Sequence, residues 1–167
     1  MKTFLNISLV LLCFVLACKK DDDLIITGYT PTDQMGNPMG DPDPSDWTFD
    51  PSWTNKELHV FSDIESGDLS GTSAGAIVIH PGYPNPVSGN AISLFINVDS
   101  ACKMRYAVVS KERQIISSSA VSLQPGNNNL LVSIGSDLPA ELYRLYYVFD
   151  AEGNYAFFKG HGDVMVQ

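Results

Sequence analysis

Apolar and polar residues alternate most cleanly over residues 91–98, where Ile92, Leu94, Ile96 and Val98 share one side and Ala91, Ser93, Phe95 and Asn97 the other. A period of two marks a strand with one buried face. The pattern recurs downstream. Cys102, Met104, Tyr106 and Val108 form one stripe with Lys103 and Arg105 opposite, and Leu130, Val132 and Ile134 form another. Residues 142–150 are apolar or aromatic at nearly every position, which predicts a central strand covered on both faces. Shorter candidate strands occupy 58–64, 76–80, 114–123, 155–159 and 164–166. Turn-forming clusters separate them, at Ser110-Lys111-Glu112-Arg113, Pro125-Gly126-Asn127-Asn128 and Glu152-Gly153-Asn154. Convincing helical periodicity is missing throughout. Many short strands with regular turns predict an all-β antiparallel β-sandwich over residues 56–167.

Upstream the pattern changes. Pro31, Pro38, Pro42, Pro44 and Pro51 forbid a long helix or a central strand. Residues 18–55 therefore read as a flexible, extended N-terminal tether. Trp47, Phe49 and Trp53 are large apolar groups near its end, expected to dock on the folded domain. Residues 4–16 are apolar except for Asn6 and Ser8, and follow the single positive charge of Lys2. That run is too short to cross ~30 Å of hydrocarbon, which takes about 20 residues, but suits a secretory signal peptide over residues 1–17.

The leader ends Val15-Leu16-Ala17-Cys18, which resembles the lipobox of bacterial lipoprotein precursors, with Leu16 where Ala or Ser is usual. The resemblance implies cleavage before Cys18 and lipid attachment to Cys18. Two or more acyl chains make a stable membrane anchor without a transmembrane helix. Lys20-Asp21-Asp22 resembles the export signal of surface lipoproteins in bacteria that carry type IX secretion, and so implies display on the outer membrane. The plainer alternative is a solvated charge run at the start of the tether.

Residues 81–167 carry a second resemblance. Tyr83-Pro84-Asn85-Pro86-Val87 precedes a turn and an alternating strand, and Leu138-Pro139-Ala140-Glu141-Leu142-Tyr143-Arg144 follows later. This region is similar to the type IX secretion C-terminal sorting domain, which implies an Ig-like sandwich. It departs from that family at Glu141 and at Lys111-Glu112-Arg113, where glycine is usual, and at the ending Val164-Met165-Val166-Gln167, which lacks basic residues. A chain already anchored by lipid has little use for a sorting domain, and residues 24–80 are too few for a separate enzyme. The expectation is that the fold is kept and the export role is not.

Charge narrows the partners. The net charge is −9, and loss of the leader removes Lys2 and no acid, leaving −10. Such a surface repels nucleic acid. Of three cysteines only Cys102 remains after cleavage and acylation, so the fold rests on its core, without an internal disulfide.

Candidate chemistry is sparse. Gly71-Thr72-Ser73-Ala74-Gly75 fits the G-x-S-x-G nucleophile elbow and resembles the patatin-like lipase version. The elbow needs a helix behind the serine, yet residues 76–80 are β-branched and run into Pro81. A flexible loop is the preferred reading, and a serine hydrolase acting through Ser73 the distant one. Asp41-Pro42-Asp43-Pro44-Ser45-Asp46 opens like a calcium loop but lacks its glycine and its closing Glu. His59, His80 and His161 are scattered, and His80, His161 and Asp163 could serve a metal only if the fold brought them together, so ordinary surface or turn histidines are the preferred reading. No metal, cofactor or catalytic residue is expected. Cys102 reads as a core residue. The aromatic set Tyr143, Tyr146, Tyr147, Phe149, Tyr155, Phe157 and Phe158 reads first as core, with a glycan- or protein-binding surface as the alternative. The expected protein is a surface-exposed outer-membrane lipoprotein with a non-catalytic structural or partner-binding sandwich. A working type IX sorting module is the alternative.

Overall fold

A computed structural model describes residues 23–62, 77–151 and 154–167. Among the described residues there are seven strands: β1 (Ile77–Ile79), β2 (Ala91–Val98), β3 (Cys102–Val109), β4 (Ile115–Leu123), β5 (Gly126–Ser133), β6 (Leu142–Ala151) and β7 (Asn154–Met165). They form two sheets, ordered β1-β2-β5 and β4-β3-β6-β7, and neighbouring strands within each sheet run antiparallel. This is the expected all-β sandwich, with the three-plus-four strand division of Ig-like domains. Tyr143, at the start of β6, donates its hydroxyl to the carbonyl of Pro139 four residues upstream, the arrangement of a tyrosine corner. That role accounts for a tyrosine after the Leu-Pro segment.

The core lies between the sheets. The inward stripe of β2 is Ile92, Leu94, Ile96 and Val98, all essentially inaccessible. Each contributes up to ~1.5–3 kcal/mol by leaving water. Met104 and Val108 of β3 face them, with Val132 and Ile134, and with Tyr143, Leu145, Tyr147 and Phe149 of β6. Cys102 is buried and free, as the β3 stripe requires. The aromatic residues of β6 and Phe158 are core or covered side chains, in line with the first reading of that set. Tyr155 and Phe157 lie outside the described side chains.

Three local expectations change. Residues 55–61 form a helical turn, α1 (Asn55–Leu58), continued by a 3-10 turn at His59–Phe61, where a strand was expected from residue 58. A capping box explains the turn: Thr54 Oγ1 accepts from Glu57 N, and Glu57 Oε2 accepts from Thr54 N. Asn127 and Asn128 are not turn residues but belong to β5, opposite Asn97 and Ile96. The chain changes sheets across Gln124 and Pro125 instead, into Gly126 at φ 97°, a conformation that favours glycine. The expected strands 155–159 and 164–166 are one continuous β7, interrupted in sequence only by Gly160-His161-Gly162-Asp163. In the Lys111-Glu112-Arg113 turn, Arg113 has φ 64°, the left-handed backbone that a glycine would adopt freely.

Within the expected tether, residues 24–55 are attached along their length and not only through Trp47, Phe49 and Trp53 near its end. From Leu24 onward the chain is packed on the sandwich: Leu24, Thr30, Thr32, Asp46, Trp47 and Trp53 are all buried. Residues 24–62 form a strap that follows the outer edge of β7 and then covers the outward face of the four-stranded sheet. Trp47 N donates to His161 O (2.7 Å) and Asp50 N to Lys159 O (2.8 Å), so the strap satisfies the β7 edge. Trp53 and Phe61 then cover Ala107, Val109, Tyr146 and Val148. Prolines permit this because the strap runs as irregular chain along an edge and need not join the ladder.

Candidate functional site

The strap meets β7 through one large anchor. The Trp47 indole enters the sandwich core beside Tyr147, stacked at 6.5 Å between centroids. Its slot exists because three neighbours lack side chains. A Cβ on Gly162 would strike the indole, one on Gly160 would strike Thr48 O, and one on Gly82 would lie 2.9 Å from Trp47 Cη2. Trp47 has φ 58°, a left-handed conformation that a bulky residue adopts at a cost of ~1–2 kcal/mol. Core burial of the ring offsets that strain.

Beside this anchor lies a buried polar cluster. Asp163 of β7 is cross-strand from Arg144 of β6, and the guanidinium binds both its oxygens at 2.7 Å. Asp46, on the strap, accepts Thr30 N at Oδ2 (2.8 Å) and Asp163 N at Oδ1 (3.1 Å). His161 completes the group: ligating atoms of Asp46, His161 and Asp163 all lie within 4.8 Å of one another, and all three residues are buried. Asp50 Oδ2 stands 3.4 Å from His161 Nδ1 and also accepts the Trp53 indole N–H at 3.0 Å. Glu57 reaches in from α1 to accept the Tyr146 hydroxyl at 3.1 Å.

Titration follows from these surroundings. Burial, then the charge of Asp163, push Asp46 up to about 7 despite its two backbone donors. Burial and the nearby Arg144 lower His161, so the imidazole is neutral at pH 7. For Glu57, burial acts upward but is outweighed by the hydrogen bonds from Thr54 and Tyr146, and the net shift is down. Burial also raises the Tyr146 and Tyr147 phenols.

Asn85, from the Tyr83-Pro84-Asn85-Pro86 segment, is the second tie between strap and β7. It is fully buried. Its Nδ2 donates to Thr30 O (3.1 Å) and Asp163 O (2.9 Å), and its Oδ1 accepts Met165 N (2.9 Å). Its backbone pairs with Thr32 in both directions. The peptide bonds before Pro84 and Pro86 are both cis. Tyr83, Pro84 and Pro86 are half-buried around it. The motif that looks like a signal in sequence is, in this fold, a packed joint.

Cys18, Lys20, Asp21 and Asp22 lie outside the described residues, as does Ser73. His80 is exposed at the end of β1 and tilts against Phe95 at 5.2 Å, apart from the cluster. His161 and Asp163 do come together, and the third member, Asp46, comes from the acidic segment 41–46. Sequence reasoning missed it because the partners are separated by more than a hundred residues. The available signal was the coincidence of an acid beside a strap tryptophan and a glycine-flanked His-x-Asp. Compared with known proteins, the chain matches no protein-family model and no curated protein.

Proposed function

We propose that the protein is a surface-exposed outer-membrane lipoprotein whose β-sandwich has a non-catalytic structural or partner-binding role, with an extracellular protein or glycan as the partner class. The leader and Cys18 support the anchor, and Lys20-Asp21-Asp22 supports surface display. The observation that carries the reading is the seat of Leu24, whose N–H donates to Lys111 O and whose side chain is buried. Leu24 follows Cys18 by six residues, which span at most about 20 Å. A chain anchored at Cys18 therefore carries its folded body close to the membrane, on a short leash.

A sorting module predicts a different design, in which residues 81–167 form a body of their own behind separate cargo. Against this, the strap supplies Trp47 to the core and Thr30 and Thr32 to the Asn85 joint. The test uses intact cells making the full chain. External protease is added, and wild type and Cys18→Ala are compared by membrane fractionation. Shaving of the wild type, with release of Cys18→Ala from the membrane, is the expected result. Protection from protease refutes surface display. Export of a reporter fused to residues 81–167 alone would favour the sorting reading instead.

A further inference from the structure

We propose that Asp46, His161 and Asp163 form a binding site for a divalent transition-metal ion of the zinc class. The donors are two carboxylates and one imidazole, a nitrogen–oxygen set suited to such ions. In a tetrahedral site with bonds of about 2.0–2.2 Å, donors are separated by roughly 3.4 Å. Donors already within 4.8 Å of one another reach that spacing through small side-chain adjustments.

A second observation points the same way. His161 is 8% exposed, belongs to the cluster, and its buried Nδ1 has no hydrogen-bond partner. A buried polar atom without a partner is disfavoured unless something fills the vacancy in its bonding. The Asp50 carboxylate, 3.4 Å from the same nitrogen, adds a further oxygen donor beside the set. Charge agrees: the guanidinium of Arg144 is bound by both oxygens of Asp163, so a cation would serve as the counter-charge for Asp46 when it ionises.

The existing hydrogen bonds leave room for the ion. Arg144 uses one lone pair on each Asp163 oxygen, and backbone N–H groups use one on each Asp46 oxygen. A carboxylate offers about four such sites, so each keeps a free direction. The strap would then be fastened to β7 by the metal as well as by Trp47.

The test uses the purified mature protein, stripped with chelator and equilibrated with Zn²⁺ alone. We expect one equivalent bound by elemental analysis, with affinity lowered at least tenfold in Asp46→Asn and in His161→Gln. His80→Gln, a histidine outside the cluster, should bind like wild type. Circular dichroism checks that each variant is folded. Because either cluster variant could unfold, Co²⁺ is also added to wild type. Paramagnetic broadening should then centre on the backbone amides of residues 46 and 161–163. Absence of stoichiometric binding, binding unchanged in the folded cluster variants, or broadening centred elsewhere would each overturn the site.

Discussion

The two sheets of this sandwich have inner faces of the same kind and outer faces of opposite kinds. The outer face of the three-stranded sheet meets water: Leu131 is 76% exposed, Val78 is exposed, and Asn127 and Asn129 accompany them. The outer face of the four-stranded sheet is covered, and Tyr146, Val148, Asp150, Lys159, His161 and Asp163 are all buried there. A sheet with one solvated face needs only alternation. One covered on both faces needs a lid, and every charge beneath the lid needs a partner. The strap is that lid, and Arg105–Asp150 (2.9 Å) and Arg144–Asp163 are such pairs.

Removing the anchor of the lid should have the largest effect. Trp47→Ala is expected to destabilise the fold by about 3–5 kcal/mol, as truncation of a buried tryptophan does. Denaturant unfolding measures this, and a loss below about 1 kcal/mol would mean that the lid contributes little to the sandwich. Gly162→Ala comes next, at about 1–3 kcal/mol, because the new methyl overlaps the indole. In the double variant the two effects should not add, since the clash disappears with the ring. Additive losses would show that Gly162 matters for some other contact.

A smaller effect concerns protons. In chelator, Asp46 is the group to follow, with His161 and Asp163 of β7 beside it, Asp43 of the strap nearby, Arg144 of β6 bound to Asp163 and Asp50 beside His161. Its folded value is about 7 against an ordinary 3.8. The folded state therefore holds a proton that the unfolded chain has released, and stability falls as pH rises through that window. Solvent screening keeps the change to about 2 kcal/mol or less. Asp46→Asn should flatten this part of the pH profile. Parallel profiles for variant and wild type would move the titrating proton elsewhere. On the opposite sheet, Leu131→Ser should stay within about 0.5 kcal/mol. A larger loss would reveal that this outer face also has a cover.

Legibility tracked this contrast. Strand β2 was read to the residue because its alternation reports one dry face and one wet face. The double burial of β6 was legible from its unbroken apolar run. Strand β7 was split in two because Gly160 and Gly162 carry no β signal, and His161 and Asp163 look like turn residues. Their reason for being there is the strap, which needs the space above the glycines and supplies Asp46 and Asp50 beside the histidine. Arg105, opposite the core stripe of β3, is buried too and pairs with Asp150.

By itself the sequence determined the β class, most strand positions, the core stripe and the surplus of negative charge, because each depends on residues near one another in the chain. Only the tertiary structure decided that residues 24–62 are a lid and not a tether, that Asn85 is a buried joint, and that Asp46, His161 and Asp163 form one cluster. Those facts depend on contacts that reach as far as 117 positions along the chain, and proline-rich chain looks the same in sequence whether it lies in water or along the edge of a sheet.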